Sequence, residues 1–221
     1  MTLAHRARAS RRGFLVALAA AAIVPFPAAA QALVEGQQYL RLKNPQPVDS
    51  GKKIEVLEFF SYGCPHCRDL DPELVAWQKT LPADVEFRRV PVDYGREQWA
   101  VLAKAYYTLE ALGVEEKLTP EVFAALHDKK APLFQDKAFF DWAASKGLDR
   151  KKVEDTYNSF GVTSKFNRSR AIAKTYNVQS VPLVIVDGKF QISSDKVGSH
   201  AAMPGAINQL IAKARAERPK S

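Results

Sequence analysis

Cys64 and Cys67 are the only two cysteines of the 221-residue chain, and they stand two residues apart in Gly63-Cys64-Pro65-His66-Cys67. A pair at this spacing can exchange a disulfide reversibly, contribute to a metal site, or staple the chain. A tetrahedral metal site needs about four ligands. Besides these two thiols the chain has only His5, His66, His127 and His200, with no second pair at finger-like spacing, so no metal is expected. A staple closing so short a loop removes little entropy from the unfolded chain. Redox exchange is the chemistry left in front.

The flanking elements favour it. The apolar run 54–61, Ile-Glu-Val-Leu-Glu-Phe-Phe-Ser, reads as a central strand covered on both faces, with Glu58 breaking the pattern. A helix-like segment follows, with Pro65 in its first turn, where a missing amide hydrogen costs nothing. A thiol at that junction meets the free amides and positive dipole of a helix start, which favour thiolate over thiol. His66 can add charge or a donor beside it. Glu58 is a different matter: a carboxylate inside a doubly covered strand must be paired or protonated, and desolvation should raise its pKa. A structural ion pair, or a side chain reaching solvent at the strand end, would also account for it.

Residues 1–32 are expected to be an export signal: Arg6, Arg8, Arg11 and Arg12 without an acid, the apolar run 14–24, and small residues suited to cleavage after Ala30 or Ala32. The run is too short to span a bilayer comfortably. Ser10-Arg11-Arg12-Gly13-Phe14-Leu15 also resembles a twin-arginine motif, with an ordinary export signal as the alternative. In an oxidising compartment a lone C-x-x-C pair can rest as a disulfide and act as an oxidant. The net charge of +8 falls to +4 without these residues, 28 basic against 24 acidic, and no basic cluster interleaves with aromatics. Nucleic acid is therefore not an expected partner.

Along the rest of the chain, 37–42 reads as a short edge strand and 85–92 as a second main strand. The first helix should carry Leu74, Trp77 and Leu81 inward and kink at Pro72. Trp77 reads as core. From residue 96 to 169 helical spacing dominates, with Thr119-Pro120-Glu121 reading as the start of a helix over 121–127 and further helices over 137–146, 150–159 and 163–177. Strands return at 183–186 and 189–192 around Asp187-Gly188, a hairpin signal, and 204–216 closes as a helix. The division is 1–32 signal, 33–95 first part of an α/β domain, 96–169 inserted helical subdomain, and 170–221 second part.

Strand, C-x-x-C, helix, strand, helical insertion, Val181-Pro182, hairpin and final helix together resemble the thioredoxin superfamily. Within it, Glu58-Phe59-Phe60-Ser61 and the dipeptide Pro65-His66 between the cysteines resemble the DsbA family of periplasmic thiol-disulfide oxidases. Gly63 departs from that pattern, where the family often has a bulky residue.

The resemblance implies an exposed, attackable Cys64 and a buried Cys67. It implies a cis Pro182 facing the cysteines, with the Val181 backbone pairing with an extended client segment. It also places Glu58 beneath the redox pair as proton relay for Cys67, with Arg89 as its basic partner. The function implied is donation of the Cys64–Cys67 disulfide to reduced, newly translocated proteins, without a further cofactor. Reoxidation would fall to a DsbB-like quinone-linked membrane oxidase, and the protein would act as a monomer. Two alternatives stand beside this: a reductase or isomerase, though too few residues precede Ile54 for a dimerisation domain, and a chaperone-like binding module. No role is assigned to His127 or His200.

Overall fold

In the computed structural model, Thr2 and residues 32–219 are described; the expected signal segment lies, but for Thr2 and Ala32, outside them. Residues 32–221 form one unit. Its centre is β2 (Ile54–Phe60), in which all seven residues are buried. That is what the largely apolar run indicated: a strand covered on both faces has no solvent side to mark with alternating polar residues.

β2 runs parallel to β3 (Val85–Pro91) and antiparallel to β4 (Leu183–Val186). β4 pairs with β5 (Phe190–Ile192), and β5 with the edge strand β1 (Tyr39–Arg41), giving the order β1-β5-β4-β2-β3. The hairpin forms as its Asp-Gly pair indicated: Asp187 and Gly188 both take positive φ, 54° and 62°.

Between β2 and β3 lies α1 (Pro65–Gln78). Between β3 and β4 come five helices: α2 (Glu97–Ala111), α3 (Glu115–His127), α4 (Asp136–Ser145), α5 (Arg150–Tyr157) and α6 (Phe160–Thr175). The short α7 (Ser194–Val197) and the long α8 (Met203–Glu217) follow β5. This is the expected α/β architecture, a thioredoxin-type sheet with an inserted helical region.

One local expectation needs correction. α3 starts at Glu115, four residues before Thr119, so Thr119 is buried within the helix and Pro120 lies inside it. The Thr119 hydroxyl donates back to Glu115 Oε1 at 3.1 Å instead of capping a helix start. α1 runs through Pro72 as one helix, held by the buried stripe Leu70, Asp71, Leu74 and Trp77. One missing backbone bond does not outweigh that burial. Trp77 is core, with its indole N–H on Asn208 Oδ1 at 2.9 Å.

Strand alternation decides what lies beneath α1. Ile54 and Val56 pack with Leu70, Leu74, Ile207 and Leu210, while Leu57 and Phe59 face the other side with Val90, Ile185 and Tyr176. With a period of two, Glu58 shares the face of Ile54 and Val56. Phe60, Tyr62 and both cysteines belong to a third cluster shared with the helical insertion through Leu102, Tyr106 and Phe123. The redox pair thus sits at the seam between sheet and insertion.

Candidate active site

Cys64 is the N-cap of α1, with extended backbone (φ −96°, ψ 118°) and no side-chain cap, and Pro65 opens the helix. A cap residue that contributes no oxygen leaves the first amides of the helix free for its sulfur. Cys64 is brought down to about 6 by a hydrogen bond from the Cys67 thiol, then by the amides of Cys67 and His66 and the His66 charge, against opposing burial. Cys67 is pushed well above the usual thiol range by burial, by its bond to Cys64 and by the Cys64 and Glu58 charges. One sulfur is poised as thiolate and the other as thiol.

The expectation of an exposed Cys64 is corrected. Its residue surface is 7 % accessible against 1 % for Cys67, so it is the more open of two covered sulfurs. Part of the cover comes from Val181: its carbonyl oxygen lies 3.5 Å from Cys64 Sγ, and Val181-Pro182 is a cis peptide. One residue before Cys64, Trp99 stands against Gly63: a Cβ there would lie 3.0 Å from the indole nitrogen. That contact accounts for glycine at 63, because the bulk comes from Trp99. His66 is exposed, its ring 6.2 Å from that of His200.

Below the cysteines Glu58 is 2 % exposed and paired. Arg89, opposite it in the β2–β3 register, donates to Glu58 Oε2 at 2.9 Å, to Asp71 Oδ1 at 2.6 Å and to Glu115 Oε1 at 3.4 Å. Its guanidinium carbon also lies 5.8 Å from the ring centres of Phe60 and Phe87. Although burial works against it, the three carboxylates hold Arg89 protonated. One guanidinium cannot neutralise three buried acids. Burial accordingly raises Glu58 to about 7, and raises Asp71 and Glu115 as well. Glu58 is therefore ion-paired and does not reach solvent, and burial raises its pKa despite the pair.

The structure brings Cys64 and Cys67, with Pro65 and His66 between them, against Val181 of the cis Val181-Pro182 peptide, with Glu58 close enough for its charge to act on Cys67. Sequence reading did not find Asp71, Glu115 or Trp99. Asp71 interrupts the apolar stripe of α1 one residue after Leu70, and that was a usable signal. Glu115 and Trp99 come from the insertion, and nothing local ties them to the cysteines. Among the described residues, no three His, Cys, Asp or Glu converge as a metal site.

Residues 55–202 match the family model of the DSBA-like thioredoxin domain. The chain is 40% identical over 176 residues to the thiol:disulfide interchange protein DsbA of Burkholderia cepacia, covering 79% of this chain and 81% of that one. It is 36% identical to the protein of the same name from Pseudomonas aeruginosa, covering 92% and 96%. The crystal structure of Pseudomonas aeruginosa DsbA superposes with a TM-score of 0.80 at 37% identity, over 83% of this chain and 95% of that one. Reduced DsbA1 from Neisseria meningitidis gives 0.76 at 30%, over 86% and 98%.

Proposed function

Because the chain belongs to the DsbA family of thioredoxin-fold proteins, we propose that Cys64 and Cys67 donate their disulfide to exported client proteins. The protein is a thiol-disulfide oxidoreductase acting as a disulfide oxidase. The observation that carries the reading is the asymmetry of the two sulfurs, Cys64 lowered to about 6 and Cys67 raised. A dithiol whose outer sulfur rests as thiolate is stabilised relative to its disulfide, so the disulfide is readily given away. DsbA proteins are themselves the established instance of that relation, and the direction of electron flow here is taken from them.

In the exchange a client thiolate attacks Cys64 Sγ, the Cys64–Cys67 bond breaks, and Cys67 leaves as thiolate. A second client thiolate then attacks the client sulfur of the mixed disulfide and releases Cys64 as thiolate. Two electrons pass from client to protein, and the client gains a disulfide. Cys67, with its raised affinity for a proton, takes one up as it leaves; Glu58 is the relay assigned to supply it. His66 favours the Cys64 thiolate by its charge, and Pro65 sets the helix start. Val181 and Pro182 form the client-binding edge, supported by the 3.5 Å approach of the Val181 carbonyl to Cys64.

The wider setting follows from the same reading. The segment 1–32 directs export to the periplasm and is removed after Ala30 or Ala32, by the twin-arginine or the ordinary route. Residues 33–95 and 170–221 act as the thioredoxin part and 96–169 as the insertion. Each cycle leaves a dithiol, so an oxidant must restore it, and a DsbB-like quinone-linked membrane oxidase is the proposed one. The protein is proposed to act as a monomer. The test combines the redox equilibrium against glutathione with turnover of a reduced, unfolded protein: an oxidase forms disulfides in it. Binding without loss of client thiols would leave a holdase instead.

A further inference from the structure

The residue that links β2 to the redox turn, Tyr62, is held at both ends by α3. Its phenol hydroxyl meets Thr119 Oγ1 at 2.7 Å, and its main-chain carbonyl lies 2.8 Å from His127 Nε2, two helical turns further on. Tyr62 is 1 % exposed and stands between the end of β2 and the start of α1, so its carbonyl has no place in the strand ladder or the helix. A buried carbonyl needs a donor. A carbonyl only accepts, so His127 Nε2 carries the proton.

We propose that His127 is a positioning residue for the redox turn, fixing the Tyr62-Gly63 peptide so that Cys64 Sγ is delivered onto the free amides of α1. Three observations meet here. Gly63, which has no Cβ to restrict it, is the one residue between the held carbonyl and the sulfur; Ser61 accepts from the Gly63 amide at 3.2 Å and from the Cys64 amide at 3.0 Å, and the His127 contact adds the anchor on the carbonyl side of the turn. The ring of Tyr62 is already set by the edges of Phe60 and Phe123, at 5.3 and 5.1 Å, so the His127 contact acts on the peptide and not on the ring. On the far side of the motif, Asp128 pairs with Arg68 at 3.2 Å, so the end of α3 touches both flanks of Cys64–Cys67. That exposed pair adds little by itself; the buried carbonyl contact carries the effect. The helical insertion thereby sets the geometry of a sulfur that belongs to the thioredoxin part.

The inference rests on Cys64 being the reacting thiol, and its test is read on that thiol directly. Glutamine can place its side-chain nitrogen near the position of histidine Nε2, while asparagine is too short. His127→Asn is expected to lower the acidity constant of the Cys64 thiol, followed by thiolate absorbance, about five-fold, the worth of one neutral hydrogen bond. Its exchange rate with glutathione should fall by a similar factor. His127→Gln should restore both. Asn and Gln variants that match each other, or two variants both like wild type, would overturn the proposal. Urea unfolding of the two variants separates a loose turn from a lost fold, because a merely structural role would move stability without separating their Cys64 titrations. Failure of the wild-type protein to oxidise a reduced client would count against the oxidase reading and leave the His127 comparison standing.

Discussion

Arg89 donates to Glu58 across 2.9 Å inside a sheet that is buried on both sides, and the same guanidinium serves Asp71 and Glu115. The charge surplus is negative, so at neutral pH the cluster is relieved when Glu58 takes a proton. Its pKa near 7 thereby follows from packing as well as from chemistry.

Glu58→Gln should expose this imbalance as stability. A carboxyl raised from its ordinary 4.5 to about 7 means that the folded chain holds a proton the unfolded chain has lost. Stability is therefore lost as pH rises from 4.5 through 7. Glutamine keeps an acceptor for Arg89 and cannot ionise. Urea unfolding at pH 5 should show the variant close to wild type, and at pH 8 more stable by about 1–3 kcal/mol. Equal curves at both pH values would remove the imbalance. If Glu58 also relays the Cys67 proton, thiol exchange in the variant loses its inflection near pH 7.

Much of this site was legible in sequence because local rules wrote it. The apolar run 54–61 called for a partner, a proton or an outlet to solvent for Glu58, and Arg89 lies directly across the parallel register. Cys64 at a helix start follows from Pro65 and the strand before it. What escaped was set by the insertion. Trp99 reaches Gly63 from α2, and Thr119 looked like a cap because Thr-Pro-Glu often is one, while here its hydroxyl is engaged inside α3 by Glu115 and Tyr62. The exposure of Cys64 was misjudged for a different reason: it is covered in part by Val181, outside the insertion and 117 positions away.

His66→Ala tests the electrostatics of the outer sulfur. The His66 charge lowers Cys64, though less than the Cys67 hydrogen bond and the amides do. The variant should raise the Cys64 pKa by a modest amount, a few tenths to about one unit, and make the protein less oxidising. Thiolate absorbance and the equilibrium with glutathione measure the two effects. An unchanged equilibrium would refute the role.

The reduced form should gain stability relative to the oxidised form as pH rises. Cys64 falls from an ordinary 9.0 to about 6 in the folded chain, so its contribution is complete above 9 and lost as pH falls toward 6. Cys67 is raised and acts in the opposite sense only above 9. Comparing urea unfolding of the two redox forms at pH 5.5 and 8, chosen to lie on either side of about 6, should show the reduced form gaining about 1–2 kcal/mol over the oxidised one. That figure is below the full shift because the sulfur still meets solvent, which screens it. Parallel behaviour of the two forms would mean that Cys64 titrates as an ordinary thiol.

Gly63→Ala addresses the Trp99 wall. The added Cβ would stand 3.0 Å from the indole nitrogen and 3.1 Å from its neighbouring ring carbon, closer than either can comfortably accept. The indole is also backed by Tyr94 at 5.8 Å and by the Arg96 guanidinium at 5.4 Å, so it cannot retreat without disturbing both. Overpacking of this kind costs about 1–3 kcal/mol. Trp99→Leu should remove the obstacle, so the double variant should be more stable than the sum of the single effects allows. A coupling of at least about 0.5 kcal/mol in urea unfolding is the expected sign of contact; strict additivity would show that residue 63 and the indole do not touch.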